Sequence, residues 1–478
     1  MCADKTLTVR ATDELAEISV LDSNFDRVAR GVGELKQSLP AGLYKVVARV
    51  GPVVVEQLIS LDQDRELSFA APDIPSPIPL ETSSHGHDYQ RDAAMRVCAT
   101  PRDVFGEGAS LFIFVRETAI EGPRDNPAAG LSLLDEKGAV LCKIEDRAEV
   151  NVDHAAWAGW RADVAPGSYR VRLELPNHRA FERALVATPQ KQTQLFMVQR
   201  DYGLPGIEAY RAADLAGGTV AISLSYGFYP QDHRARLTEL ASYALMQTRH
   251  VLSDALLKRL LNEKFDDPML GLLGAHLMLR DHPGDVRLFE IVTDNLRKLL
   301  GEDHPDVQAL WLRRSNRGNM KEIRLKTPPM LRRSWEFATE ASVRDKEVIP
   351  LGAPSATIAL KVLPATPWLV WRGEQRDQIG LESAVQDLTA ATGALADYLK
   401  TRARHHAQRL PQPGIVQRVT RGVRSLPLLR TVVPAPETQA VSATSPEVTL
   451  SDDEKTEIAR VLGVPGNAID EAVKRFSR

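Results

Sequence analysis

"SLPAGLYKVVARV" (Ser38 to Val50) and "DVAPGSYRVRLEL" (Asp163 to Leu175) are two copies of one phrase. Gly42, Tyr44 and Val46 align with Gly167, Tyr169 and Val171, and Pro40 with a slightly shifted Pro166. Proline and glycine set a turn, and the residues after it alternate apolar with polar or basic. One covered face and one face of Lys or Arg is the pattern of half-buried antiparallel sheet. "ISVLD" (Ile18 to Asp22) stands upstream of the first copy and "LSLLD" (Leu131 to Asp135) upstream of the second, while "VVVEQLISL" and "FERALVAT" follow downstream. The order strand, turn, Gly-x-Tyr strand, turn, strand is therefore written twice.

The recurrent strand resembles the PxGxYxV strand of PEGA and carboxypeptidase-regulatory-like β-sandwich repeats. That resemblance implies two antiparallel β-sandwich modules acting as spacers or docking surfaces, and it implies no chemistry. Between the copies, "APDIPSPIPLETSSHGHDYQ" (Ala71 to Gln90) has neither period and reads as a linker. "GGTVAISLSYGFYP" (Gly217 to Pro230) reads as one more strand closing the β-region.

From His233 the apolar period changes to that of a helix. "LTELASYALMQTRHVLSDALLKRLL" (Leu237 to Leu261) predicts one long helix or two in sequence. In "KFDDPMLGLLGAHLML" (Lys264 to Leu279), Asp267 can cap and Pro268 can fill the first turn. Met269, Leu272, Leu273 and His276 then share one face, and Gly271, Gly274, Ala275 and Met278 another, narrow one. Apolar residues all round predict a central helix, its small face admitting a close neighbour. His276 is either a core histidine or a site residue on these grounds.

"DVRLFEIVTDNLRKLLG" predicts a further helix, and "DHPGDV" and "DHPDV" put Asp and Pro at helix starts. "GEDHPDV" resembles the turn of tetratricopeptide arrays of the kinesin-light-chain type, which implies tetratricopeptide-like packing without a regular array. The helical region continues through "PPMLRRSWEFATEASV" and "SAVQDLTAATGALADYLKTRARHH", with "SATIALKVLPATPWLVW" packed between. Trp311, Trp335, Trp368 and Trp371 are core or interface anchors. The tail "LSDDEKTEIARVLGVPGNAIDEAVKRF" is similar in outline to small three-helix modules of the ubiquitin-associated type, which implies a protein-interaction unit.

The expected fold class is thus multi-domain, β then α. The division is 1–72 first β-sandwich, 73–90 linker, 91–232 second β-sandwich with its closing strand, 233–400 helical hairpins, 401–447 tether, and 448–478 small helical module. A length of 478 residues suits several cores rather than one. The net charge of −3 confines any anionic partner to a local basic patch. Three scattered cysteines, Cys2, Cys98 and Cys142, fit neither a disulfide framework nor a zinc site. With no signal-like or membrane-spanning run, the expected location is cytoplasmic.

No catalytic signature stands out: neither HExxH, nor GxSxG, nor a phosphate loop is present. His85, His87 and Asp88 could seed a metal site but sit in the linker. Cys98 and Cys142 read as buried strand thiols. No cofactor is expected. The most functional-looking charge feature runs from Lys400 to Arg430, with eight Lys or Arg and no acid. There Ile415, Val419, Val423 and Leu426 form a helical stripe, with Arg418, Arg421 and Arg424 projecting elsewhere. Those residues, with Ile469 and Val473 of the tail, are the candidate partner-binding set.

The leading reading is a non-enzymatic scaffold or adaptor in a bacterial signalling or defence assembly, whose partner is a separately encoded protease or signalling enzyme. Two alternatives stand beside it. One is a hydrolase with a dispersed site drawing on His154, His250 or His276; the other is peripheral contact with an anionic membrane through the basic segment. Nucleic acid is not favoured, since aromatics are not interleaved with the charges. Oligomeric state is not legible in the sequence.

Overall fold

The computed structural model describes residues 4–12, 16–50, 53–70, 76–80, 88–118, 125–153, 156–203, 210–246, 254–315, 322–359, 361–363, 366–373 and 450–470. The amino-terminal part is β-rich, with several sheets, and helices follow.

Seven strands make the first sheet: β1 (Lys5–Ala11), β2 (Glu17–Leu21), β3 (Arg27–Val32), β4 (Glu34–Leu39), β5 (Gly42–Val50), β6 (Val53–Leu61) and β7 (Arg65–Phe69). Their order is β6-β5-β2-β3-β4-β1-β7. At Gly33, whose φ is 69°, β3 turns into β4 with one register pair, Val32 to Glu34. Left-handed backbone of that kind is glycine's ground. The apolar side chains of β1, β2, β4, β5, β6 and β7 share a core that, among the described residues, is drawn from between Leu7 and Phe69.

The second copy of the repeat builds a five-stranded sheet from β10 (Leu131–Leu134), β11 (Val140–Lys143), β14 (Gly167–Glu174), β15 (Ala180–Ala187) and β19 (Val370–Arg372), in the order β11-β10-β14-β15-β19. Its first four strands repeat the order β3-β2-β5-β6. The correspondence reaches single hydrogen bonds. Tyr44 Oη donates to Pro40 O and Tyr169 Oη to Ala165 O, both at 2.8 Å. Ala165 rather than Pro166 is therefore the counterpart of Pro40. Asp22 Oδ1 accepts from the amides of Asn24 and Asp26, as Asp135 Oδ1 does from Lys137 and Ala139. The same turn puts Phe25 at φ 64° in one copy and Gly138 at φ 90° in the other.

A third sheet holds β12 (Glu149–Asn151), β13 (Trp157–Val164), β9 (Ala109–Arg116), β16 (Gln192–Asp201) and β17 (Arg211–Ala213), with β18 (Thr219–Ser223) also on β16 and β8 (Asp103–Val104) on β13. Strand β9 is buried along its whole length. Leu111, Ile113 and Val115 enter the core shared with the five-stranded sheet, whereas Phe112 and Phe114 pack with α1 (Asp88–Ala99) on the other side. Helix α1 comes so close because Gly159 has no side chain: a Cβ there would stand 3.1 Å from Val97 Cγ1.

A helix of one turn, α2 (Ile144–Arg147), precedes β12, and the main helices are α3 (His233–Met246), α4 (Asp254–Glu263), α5 (Pro268–Asp281), α6 (Val286–Leu300), α7 (Pro305–Trp311), α8 (Arg332–Arg344) and α9 (Asp452–Leu462). Asp267 caps α5 by accepting from Met269 N, and Pro268 occupies the first turn. Every residue from Pro268 to Met278 is buried, as a central helix requires.

Several expectations are corrected. The linker assignment of 73–90 fails at Ser76–Leu80, which is buried and held by Arg116 and Glu239; α1 then begins at Asp88. Polar anchors, not periodicity, hold that strap. Cys98 is buried on α1 rather than on a strand. The boundary at 232/233 does not separate two cores, since one apolar cluster runs from Ala109 to Trp371. Strand β19, from the region expected to be helical, pairs with β15. At the start of α7 the cap is His304, not Asp303, and Asp281 ends α5 instead of starting α6.

Candidate functional site

His276 lies on α5 facing α8, its Nε2 3.0 Å from Ser334 Oγ and its ring 5.3 Å from Phe337. The Asp306 carboxylate accepts from the amides of Met330 (2.9 Å) and Leu331 (3.0 Å) and also bonds Ser334. His304 Nδ1 in turn accepts from Asp306 N at 3.3 Å. Burial pushes both imidazoles down to about 3 and Asp306 up to about 6. In a hydrolytic triad the imidazole stands between hydroxyl and carboxylate. Here the hydroxyl stands in the middle, His276 Nδ1 has no hydrogen-bond partner among the described residues, and all four groups are buried. The cluster ties α5, α7 and α8 together; it offers no entry to a substrate.

A second arrangement sits at the carboxyl end of the chain. Residues 450–470 dock on α8, where Ile458, Ala459, Val464 and Ile469 are buried with Val343 packed against them. Trp335 Nε1 donates to Gly463 O (2.9 Å), Thr339 Oγ1 to Ala459 O (3.2 Å) and Gly466 N to Ser342 Oγ (2.9 Å). Gly466 is needed for that approach: a Cβ there would meet Ser342 O and Val343 Cα at 2.6 Å. Asp470 receives both Lys346 and Lys455.

The third arrangement is a cleft on the outer face of the five-stranded sheet. Alternation along β14 sends Val171 and Leu173 into the core and Arg170 and Arg172 outward. In register, Arg172 opposes Glu182, and Glu182 opposes Trp371. The Glu182 carboxylate accepts from Trp371 Nε1 at 3.1 Å and lies 3.4 Å from Arg170 Nη1 and 3.5 Å from Arg172 Nη1. Arg170 Nη2 also donates to Glu136 O at 2.9 Å, fixing the β10–β11 turn over one end. Gly352, Pro354, Thr357 and Lys361 line the other side, and the cleft has a volume of about 450 Å³. Lys137, Lys361 and Arg372 complete the lining.

Of the residues expected to bind a partner, Ile415, Arg418, Val419, Arg421, Val423, Arg424 and Val473 lie outside the described residues, as do His85, His87, His154 and His250. Ile469 is described and is 2% exposed. Its side chain is buried in the chain's own cluster with Ile458, Ala459 and Val464, against which Val343 of α8 packs. The cleft residues escaped the sequence reading. The alternation of "YRVRLEL" marks Arg170 and Arg172 as outward, but only the return of β19 converts a solvated face into a walled one. Among the described residues, no group of three metal-ligating side chains converges, and no helix is long and apolar enough to cross a membrane.

Comparison with known proteins adds no relative. No family matches the sequence, and no curated protein does. Among solved structures, the Bacillus anthracis TIE protein aligns at 11% identity over 39% of this chain and 32% of its own, with a TM-score of 0.16. A candidate cell adhesion protein of Bacteroides fragilis aligns at 10% identity over 48% of this chain and 87% of its own, with a TM-score of 0.15. The chain spans about a third of the length of the first.

Proposed function

We propose that this protein is a non-enzymatic adaptor of the cytoplasm, in which a folded body presents the basic segment between Lys400 and Arg430 to a protein partner. In this reading the two repeat copies are β-sandwich modules of the PEGA-like kind, the helices pack in a tetratricopeptide-like manner, and the partner is a signalling or proteolytic enzyme encoded separately. The observation that carries it is the anchoring of the chain on both sides of residues 374–449. Gly373 N donates to Ala180 O on β15, and residues 450–470 are docked on α8. The chain thus leaves the described body at Gly373 and rejoins it at Leu450, with Arg418, Arg421 and Arg424 in the sequence between.

The hydrolase alternative gains nothing from His276, whose nearest hydroxyl and carboxylate are enclosed with it. The test of the adaptor reading is a triple charge reversal, Arg418→Glu, Arg421→Glu and Arg424→Glu, in the full chain. Quantitative affinity capture from the native cell should lose a specific protein partner while the thermal melt stays where it was. Recovery of the same partners by wild type and variant sinks the reading.

A further inference from the structure

We propose that the free edge of β6 is a docking site for an extended segment of another protein, which joins the first sheet as an antiparallel strand with a tryptophan opposite Glu56. The two copies of the repeat supply the reason. Gly42 pairs with Leu61 as Gly167 pairs with Ala187, and following both ladders back sets Val54, Glu56 and Leu58 of β6 in the places of Ala180, Glu182 and Ala184 of β15. Even the outward ion pair recurs, Lys45 with Glu56 at 2.6 Å and Arg170 with Glu182 at 3.4 Å. In the second copy this edge is taken. Strand β19 pairs antiparallel with β15, Trp371 standing opposite Glu182 and donating to its carboxylate, while Gly373 N donates to Ala180 O. In the first copy β6 ends the sheet, and among the described residues no strand pairs with its outer side.

The backbone groups on offer follow from the same correspondence. Ala180 O reaches β19, so Ala180, Glu182 and Ala184 turn their N–H and C=O groups away from β14, since direction alternates along a strand. Val54, Glu56 and Leu58 accordingly turn theirs away from β5. Ser60 O, next in that series, accepts from Arg65 Nη1 at 3.1 Å, which closes one end of the edge. The rest of the edge is unguarded. Folded proteins blunt a free edge with lysine, proline or a bulge. The sequence of β6, VVVEQLISL, has neither residue, and its register with β5 runs without a shift. Its one charge, Glu56, is paired within the sheet, and Leu58 is 78% exposed.

Strand β19 also shows the chemistry of the occupant. Main-chain bonds to an edge give affinity, and alternate side chains give specificity. Trp371 meets a carboxylate through Nε1 and lies with its ring centroid 5.8 Å from the Arg170 guanidinium. Glu56 and Lys45 stand in those two places, so a tryptophan opposite Glu56 finds the same acceptor and the same cation. Two residues before Trp371 comes Leu369, and an apolar side chain at that position of an incoming strand falls beside Leu58. Pairing β6 full length with a second copy of itself instead puts Glu56 opposite Leu58, which offers its carboxylate no donor. A strand of the form apolar-x-Trp from a different protein is the better fit.

The test titrates the full chain into a fluorescent peptide of its own residues 366–375, TPWLVWRGEQ, and follows anisotropy. Saturable binding with a Kd below about 1 mM is expected. Leu58→Pro removes an outward N–H and no bond to β5, a change that edge strands tolerate. It should weaken binding at least about tenfold with the melt unchanged. The same peptide N-methylated at the positions of Trp371 and Gly373 should lose as much against wild type, a readout that stands even if Leu58→Pro does not fold. No saturation up to about 1 mM, or undiminished affinity for the N-methylated peptide or in a folded Leu58→Pro chain, overturns the proposal. Sedimentation equilibrium tests the other occupant. A dimer that Leu58→Pro dissolves assigns the edge to a second copy of this chain and likewise overturns it.

Discussion

His304 caps α7 with an imidazole. Nδ1 must accept from Asp306 N, so the proton sits on Nε2, which is buried with no hydrogen-bond partner among the described residues. Burial holds the ring neutral, its pKa down at about 3. A folded pKa below the unfolded one means that this contribution is whole above about pH 6.5 and is lost as pH falls toward 3. Asp306 runs the other way: burial raises it to about 6, so its contribution is whole below the ordinary carboxylate value and is lost as pH rises through 6. The two slopes oppose each other between about pH 4 and 6. His304→Asn keeps a cap acceptor and removes the titration. Relative to wild type, the variant should gain stability as pH drops from 6.5 toward 3, by up to about 1.4 kcal/mol per pH unit. Urea midpoints at a series of pH values check this, and parallel profiles contradict it. Neither residue's role was legible beforehand, because Asp303 fits the cap pattern better than His304 and only the packed geometry chooses between them.

At the scale of elements, α5 was legible almost residue by residue. The cap, the proline turn, the all-round apolar surface and the small face follow from spacing and side-chain size. What the sequence left open is which neighbour uses the small face. Gly271 faces α6 and Lys264, the residue that follows α4, for a Cβ there would stand 2.6 Å from Lys264 Cβ and 2.7 Å from Leu296 Cδ2. At Gly274 the nearest atom is Leu261 Cδ2 at 3.0 Å, the end of a flexible side chain. Gly271→Ala should therefore destabilise by about 1–3 kcal/mol. Gly274→Ala should come out near neutral, since about 1 kcal/mol of helix propensity offsets a small displacement of Leu261. Equal losses in chemical denaturation would show that α5 does not discriminate between its neighbours in this way.

Across the whole molecule the decisive feature is where cores begin and end. The first sheet closes a core among its own strands, residues Leu7 to Phe69. The second β-region and the helices share another, crossed by β19 and by Trp368, which is 1% exposed. Two calorimetric transitions are expected. Leu61→Ala should lower only the first region's transition and Trp368→Ala only the other, each by about 2–5 kcal/mol. A single transition moved by both substitutions would contradict separate cores.

Periodicity determined the strands of both repeat copies, their tyrosines and turns, and the helices from α3 to α8, because those patterns arise from nearest-neighbour geometry along one element. Tertiary structure alone decided that residues 76–80 are a buried strap, that β19 returns to the five-stranded sheet, that Ile469 faces α8, and that Arg170, Arg172 and Glu182 line a cleft. Each of those depends on contacts between residues far apart in the chain. Local spacing carries no information about which distant surface will arrive to cover a face.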